Sequence, residues 1–323
     1  MLEYSKGVIA ILYAGVDIGG TKCAVTTGDD SGKILSKVRF ETLDVSKTLE
    51  RILFEVKNLK NISAIGISCG GPLDSRRGVI CSPPNLPGWD NIEICSMLQK
   101  ECNVPVFLQN DANACALAEW HCGAGKGCEN MIFLTFGTGL GAGLILNGRL
   151  YSGTNDMAGE IGHIRLSSFG PVGFGKSGSF EGFCSGGGIK QIGQTLAREK
   201  IQMGEKTLYC ASLSELDSIS AKSIAEAANQ GDETAKRVYR ICGEKLGEGL
   251  SILIDILNPE KIVIGSVYAR SENLLCEGMQ HVLKKEALRQ SLKVCSVVPA
   301  KLMEEIGDYA ALAVAKEGLK NAL

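Results

Sequence analysis

The sequence predicts a mixed α/β fold in two domains, each built on its own sheet. Three observations carry this. The chain has 323 residues, which is long for a single hydrophobic core. Apolar β-forming runs alternate with stretches of helical periodicity along most of it. A strand, a glycine turn bearing a threonine and a second strand at residues 12–27 return in similar form at residues 131–150. Such an internal duplication implies two related sheets facing each other.

The elements follow in order. ILYAGVDIGGTKCAVTTGDDSGKILSKVRFET reads as three strands joined by a Gly-Gly-Thr turn and an Asp-Asp-Ser-Gly turn. From Ser46 to Asn58 apolar residues recur at helical spacing, then SAIGISCGG forms a strand that ends in glycines. VPVFLQND is a further strand running into DANACALAEWHCG, a helix with Asp111 near its start and Gly123 near its end. MIFLTFGTGLGAGLILNGRL gives strand, glycine turn, strand and an Asn-Gly hairpin signal. The last third predicts helices over Ala221–Gln230, Asp232–Leu257 and Glu272–Glu286. It also holds the strand KIVIGSV and a closing helix, GDYAALAVAKEGL. The stretch Met157–Phe183 is too rich in glycine for a long helix, because each interior glycine costs about 1 kcal/mol relative to alanine.

Composition bounds the function. Hydrophobic content of 45% and charged content of 22% are those of an ordinary globular protein. A net charge of -2 gives no electrostatic reason to bind nucleic acid or an anionic membrane. Thirteen cysteines are scattered with no C-x-x-C pair, which suits buried thiols in a reducing cytoplasm. The N-terminal GVIAILYAGV lacks an A-x-A-like cleavage site and is too short to cross a bilayer. It reads as the approach of the first strand.

Candidate chemistry sits at the strand ends. Two glycine turns, Asp17–Thr21 and Phe136–Gly141, let backbone N–H groups approach an anion closely. Glycine also serves ordinary hairpins, but two such turns would clamp a polyphosphate, and a carboxylate such as Asp17 beside it suits magnesium. Asp111 stands where a strand meets a helix. There it is either an N-cap or a base that accepts the proton of an attacking hydroxyl.

DIGGTK, GGPLD, PNLPGW, QNDANA, FGTGLGAG, AGEIGH and NPEKIVIG, in that order along nearly the whole chain, resemble the ROK family of bacterial sugar kinases and sugar-responsive repressors. The resemblance implies a two-domain actin/hexokinase-like (ribonuclease H-like) fold with a central cleft. Residues 1–120, completed by a C-terminal helix at about 306–323, would form the smaller domain, and residues 121–305 the larger. It further implies ATP and Mg2+ as cofactors, a small-molecule sugar as substrate and a cytoplasmic homodimer, with no nucleic-acid or membrane partner. By the same resemblance Asp111 matches the catalytic base. Gly71, Asn110, Asp111, Glu160, His163 and Glu181 match sugar contacts. Asp17, Gly19, Gly20, Thr21, Lys22, Gly137, Thr138, Gly139 and Gly265 match the nucleotide side. The activity implied is phosphorylation of a hexose or N-acetylhexosamine, glucose first and N-acetylmannosamine second. Glu160, His163 and Glu181 would order sugar hydroxyls and take no part in nucleotide binding.

The chain departs from the family pattern in two places. The family's zinc site uses the histidine of G-H and three cysteines, whose positions here hold Val172, Phe174 and Ser179. Zinc wants about four N or S ligands, so no metal is expected there. Val172 and Phe174 are expected to fill the vacated space. After NPEKIVIG, where the family has small residues, the chain reads SVYAR. Tyr268 and Arg270 are then expected to stack on the nucleotide or to narrow its pocket. A repressor would need a DNA-binding helix-turn-helix ahead of Asp17, where the sequence reads as a strand. A catalytically silent sugar binder is the other reading.

Overall fold

The computed structural model describes residues 11–322. The segment Gly7–Ala10, read above as the approach of the first strand, lies outside them. The chain divides into two compact units. The first takes the residues through Lys126, Gly153–Asp156 and the residues from Glu304 onward; the second takes Gly127–Ser152 and Met157–Met303. Both are mixed α/β. Among the described residues no helix is long and apolar enough to cross a membrane.

In the first unit, β1 (Leu12–Ile18), β2 (Lys22–Asp29) and β3 (Ile34–Glu41) form an antiparallel meander. After α1 (Val45–Lys57), β4 (Ile62–Cys69) adds parallel to the other side of β1. A small hairpin of β5 (Leu73–Asp74) and β6 (Val79–Ile80) follows, then α2 (Ile94–Cys102). β7 (Val106–Asn110) adds parallel to β4 and passes directly into α3 (Asp111–Cys122), giving the order β3-β2-β1-β4-β7. Asp44 starts α1 by accepting the Lys47 amide, and Asn103 ends α2 in the left-handed region. One sheet face packs Val16, Ile65 and Ile67 with Ile52, Val56 and Leu98 of the helices. Each such burial is worth roughly 1.5–3 kcal/mol. The edge strand β3 is exposed along most of its length and carries Lys37 and Arg39, charges that deter further pairing.

The other sheet face takes the C-terminal helix, Ile306–Ala322. Contact here is backbone to backbone. A Cβ on Gly15 would lie 2.9 Å from both the Ala311 Cβ and the Leu312 amide. A Cβ on Gly66 would fall inside contact distance of the Ala311 carbonyl and the Ala315 amide. With Ala310, Ala311, Ala313 and Ala315 buried on it, the helix lies flat on the sheet.

The second unit repeats the plan. β8 (Met131–Phe136), β9 (Leu140–Leu146) and the short β10 (Arg149–Leu150) form the meander. Then come the two-residue strands β11 (Val172–Gly173) and β12 (Lys176–Ser177), followed by α4 (Phe180–Phe183) and α5 (Gly186–Gln202). After α6 (Ala221–Asn229) and α7 (Glu233–Leu257), β13 (Lys261–Ile264) pairs parallel with β8. α8 (Val267–Glu286), α9 (Arg289–Val294) and β14 (Ser296–Pro299) complete the order β10-β9-β8-β13-β14. Directions match the first sheet strand for strand.

The helices α2, α5 and α9 and the strand β14 are elements that periodicity did not single out. α5 opens on Gly186-Gly187-Gly188, a poor helix start by propensity, and forms because the Ser185 hydroxyl accepts the Gly188 amide at 2.9 Å. α8 begins at Val267 and not at Glu272, with non-helical angles at Ser271 (φ -134, ψ 26). Its main run after that break coincides with the helix read from the sequence.

Gly66→Ala is expected to destabilise the first unit by at least about 2 kcal/mol, or to abolish folding, because neither colliding group is a flexible side-chain end. Urea unfolding checks this; a loss below about 0.5 kcal/mol would show that the helix can lift off the sheet freely.

Candidate active site

In the first unit the candidate residues gather at the C-terminal ends of the parallel strands, where open α/β sheets present ligands. Asp17 is the last but one residue of β1, and the turn after the strand is fixed by Gly19 donating to the Lys22 carbonyl at 3.1 Å. The Thr42 hydroxyl donates to the Gly19 carbonyl at 2.6 Å. Thr21 and Lys22 lead into β2, with the Thr21 carbonyl accepting the Thr42 amide. Asn85, from PNLPGW, packs its backbone against Gly20 and its side chain against Gly70. It therefore braces the turn against the loop after β4. Nothing lies within 4 Å of where a Gly71 side chain would begin, so that backbone faces open space.

β7 and α3 show which of the neighbouring pair caps the helix. The Asn110 side chain accepts the Asn113 amide at 2.7 Å and is the N-cap of α3. Asp111 is the first helical residue, its Oδ1 accepting the Ala112 amide at 2.8 Å. The capping duty thus falls to Asn110. Asp111 is solvent-accessible at its surface, yet crowding by protein atoms is the leading influence on its carboxyl and raises its pKa, against the Ala112 amide.

Asp17 is strongly perturbed, its carboxyl pushed up to about 7. Burial is the largest cause, followed by the carboxylates of Asp308 and Asp111; Arg39 and Lys37 act weakly the other way. Asp308, on the C-terminal helix, pairs with Lys37. Sequence reading passed over Asp308, since only tertiary packing reveals that a buried acid in GDYAALAV stands beside Asp17. Ser75 donates its amide and hydroxyl to the two Asp156 carboxylate oxygens at 2.8 and 2.7 Å, tying down the segment Gly153–Asp156.

In the second unit, the turn after β8 is closed by Gly137 donating to the Gly139 carbonyl at 3.1 Å. Gly186, opening α5, donates to the Gly137 carbonyl at 2.8 Å. A cavity of 810 Å³ opens beside this turn, lined in part by Gly137, Thr138, Gly187, Lys190, Ser266 and Arg270. Gly265 donates to the Leu134 carbonyl at 3.0 Å and presents Ser266 to the cavity.

The glycine-rich segment folds as expected for its composition, with only a three-residue 3-10 turn, Ile161–His163, and the four-residue α4 as helix. Glu160 precedes the 3-10 turn, and both Glu160 and His163 are exposed. A Cβ on Gly162 would lie 3.1 Å from the Glu181 Cβ, so glycine there brings the turn and α4 together. Glu181 has a partner within the protein. Its Oε2 accepts the Leu140 amide at 3.0 Å and would lie 2.7 Å from a Cβ on Gly139. Glu181 shapes the glycine turn itself.

Two expectations are corrected. Val172 and Phe174 do not fill a vacated interior: they are 47% and 75% exposed. The loop is held by hydrogen bonds instead. Gln191 clamps Val172 through its amide and carbonyl, both at 2.9 Å, and Ser179 caps α4 through the Gly182 amide at 3.0 Å. Phe174 stands edge-on to the His163 ring at 5.3 Å. Tyr268 is fully buried in the core of the second unit, so it neither stacks on a nucleotide nor narrows the cavity. Arg270 does line the cavity. Among the described residues no group of three or more His, Cys, Asp or Glu is arranged to hold a metal ion.

The sequence profile of the ROK family matches residues 13–318. A glucokinase of Thermotoga maritima is 30% identical over 310 residues, covering 94% of this chain and 96% of that one. A ROK family glucokinase from Streptomyces griseus, solved with glucose and AMPPNP, is 28% identical with a TM-score of 0.74, covering 96% of this chain and 100% of that one. A ROK family transcriptional regulator, a homologue of the E. coli MLC protein, is 25% identical with a TM-score of 0.82 over 95% of this chain and 78% of that one.

Metal-free protein without nucleotide is expected to lose stability as pH rises from about 4 to 7. Asp17 has an ordinary value of 3.8 and a folded value of about 7. The folded state therefore holds that proton more tightly, and the advantage fades as pH climbs through the window. In EDTA, Asp17→Asn should melt at a temperature near wild type at pH 4 and above wild type at pH 7.5. A difference independent of pH would contradict this account of Asp17.

Proposed function

The chain belongs to the ROK family, and from that premise we propose that it is an ATP-dependent sugar kinase. The donor's γ-phosphoryl passes to the 6-hydroxyl of a hexose or N-acetylhexosamine. Glucose is the first candidate, as in the Thermotoga relative, and N-acetylmannosamine the second. Cytoplasmic location and a homodimer belong to the same reading.

The observation that carries it is Asp111. Its carboxylate stands at the end of a parallel strand, its pKa is raised, and the capping role that would have given it a purely structural job is taken by Asn110. A carboxylate so placed can accept the proton of an attacking sugar hydroxyl as the phosphoryl group leaves ATP. Asn110 keeps its amide nitrogen to donate to a hydroxyl, since its oxygen holds the Asn113 amide. Gly71 offers backbone polar groups on a face open to a ligand. Glu160 and His163 supply an acceptor and an imidazole to further hydroxyls. Gly137, Thr138 and Gly139 give the turn for the donor's phosphates, and Gly19, Gly20, Thr21 and Lys22 its counterpart in the first unit.

Asp17 fits a divalent cation. Its elevated pKa beside Asp308 and Asp111 marks a place short of positive charge, and magnesium is held by one or two carboxylates together with phosphate oxygens and water. When bound, Mg2+ supplies charge neutralisation at the phosphates.

A coupled assay of ADP release over glucose, N-acetylmannosamine, N-acetylglucosamine and fructose tests the function. Turnover with at least one sugar, abolished by EDTA, is expected. Sugar binding without turnover would favour the silent sugar binder. Asp111→Asn should keep the fold and lose about 10²–10⁴-fold in rate; turnover within threefold of wild type would remove it as the base. His163→Ala should raise the sugar KM about tenfold with the ATP KM little changed, consistent with roughly 1–3 kcal/mol per unpaired group. Glu181→Ala should raise both KM values, because its carboxylate also holds Leu140. Unchanged ATP affinity in the Glu181 variant would confine that residue to the sugar.

A further inference from the structure

The cavity beside the second glycine turn has an uneven lining. Ala221, Ala225, Tyr239 and Val267 give it apolar surface, while Lys190, Lys222 and Arg270 bring positive charge against one carboxylate, Glu226. Lys222 lies 3.9 Å from that Glu226, and the Lys190 ammonium donates to the Asp217 carbonyl at 2.7 Å. Arg270 is directed elsewhere. Its Nη2 donates to the Ser266 hydroxyl at 3.1 Å, and that hydroxyl oxygen is 3.6 Å from where a side chain on Gly137 would begin. One hydrogen bond thus ties the guanidinium to Ser266, which stands beside the glycine turn.

Local backbone geometry holds it there. Ser266 has φ +53, and the non-helical Ser271 sets the first turn of α8, Val267–Arg270, apart from the rest of the helix. Ser271 and Tyr268 are buried and fix this turn from beneath, leaving Arg270 exposed at the cavity. A guanidinium presents a planar fork of donors that matches two phosphate oxygens, which an ammonium cannot do.

We propose that Arg270 binds the phosphate chain of the nucleotide donor and selects nucleoside di- and triphosphates over the bare nucleoside. This rests on the cavity being the donor site of the kinase reading. The apolar residues would then take the base, and Arg270 with the backbone of the glycine turn would take the phosphates.

Calorimetry of wild type, Arg270→Met and Arg270→Lys with MgATP, MgADP and adenosine tests it. Arg270→Met should weaken MgATP and MgADP at least tenfold and leave adenosine within twofold. Arg270→Lys should fall between the two. The loss of MgATP affinity on raising salt should also be shallower in Arg270→Met, since one phosphate-facing charge is gone. The side chain is exposed, so the variant's melting temperature should match wild type, which separates a binding defect from a folding one. MgATP affinity within threefold of wild type would overturn the proposal, as would a parallel fall in adenosine affinity. Wild type that binds MgATP but phosphorylates no sugar would remove the kinase reading and leave Arg270 in its role. Wild type that binds neither MgATP nor adenosine would remove both.

Discussion

The first unit depends on the C-terminal helix lying directly on the backbone of its sheet. Gly15 on β1 and Gly66 on β4 admit the helix to contact with Ala311, Leu312 and Ala315, an approach that any side chain at those positions would prevent. The consequence is chemical as well as mechanical. The close seat puts Asp308, near the start of that helix, beside Asp17 at the end of β1. Asp17 would otherwise be an ordinary strand-end carboxylate. With Asp308 and Asp111 near it and protein around it, its ionisation is held back toward neutrality. Packing density and site electrostatics have one cause here.

The duplicated strand-turn-strand plan yields two different devices. After β1 the turn carries its own acid and is braced by Asn85. After β8 the turn carries no acid and borrows Glu181, whose carboxylate accepts the Leu140 amide. It also leans on the opening of α5 through the Gly186–Gly137 bond. One backbone motif has thus been specialised by the side chains that pack around it.

Much of this was legible in the sequence. The strands through Phe136, the helices of the last third and the duplication follow from periodicity and turn residues, because those segments bury continuous apolar faces. What was not legible depended on partners distant in the chain. α5 was hidden by its three glycines, whose helical state needs Ser185 and the neighbouring turn. Asp308 looked like one more charge on a helix. Val172 and Phe174 suggested filling by their apolarity, yet the loop is held by Gln191 and Ser179, polar groups with no motif to announce them. Tyr268 was read toward a ligand and is core, while Arg270, two residues on, faces the cavity. Two residues apart in one helical turn, they point to opposite sides, and only the packing of α8 shows which side is core.

The C-terminal helix also bears on how the protein is made. The first unit's sheet leaves the ribosome complete by Lys126, but the helix that covers one of its faces begins only at Ile306. Nearly all of the intervening chain builds the other unit, whose sheet and helices are contiguous enough to fold as they emerge. At translation rates of about 5–20 residues per second, that face stays uncovered for on the order of ten to thirty-five seconds. During synthesis the half made first is the half finished last. Its uncovered strands, Tyr13 and Ala64 among them, are the surface a nascent-chain chaperone would meet.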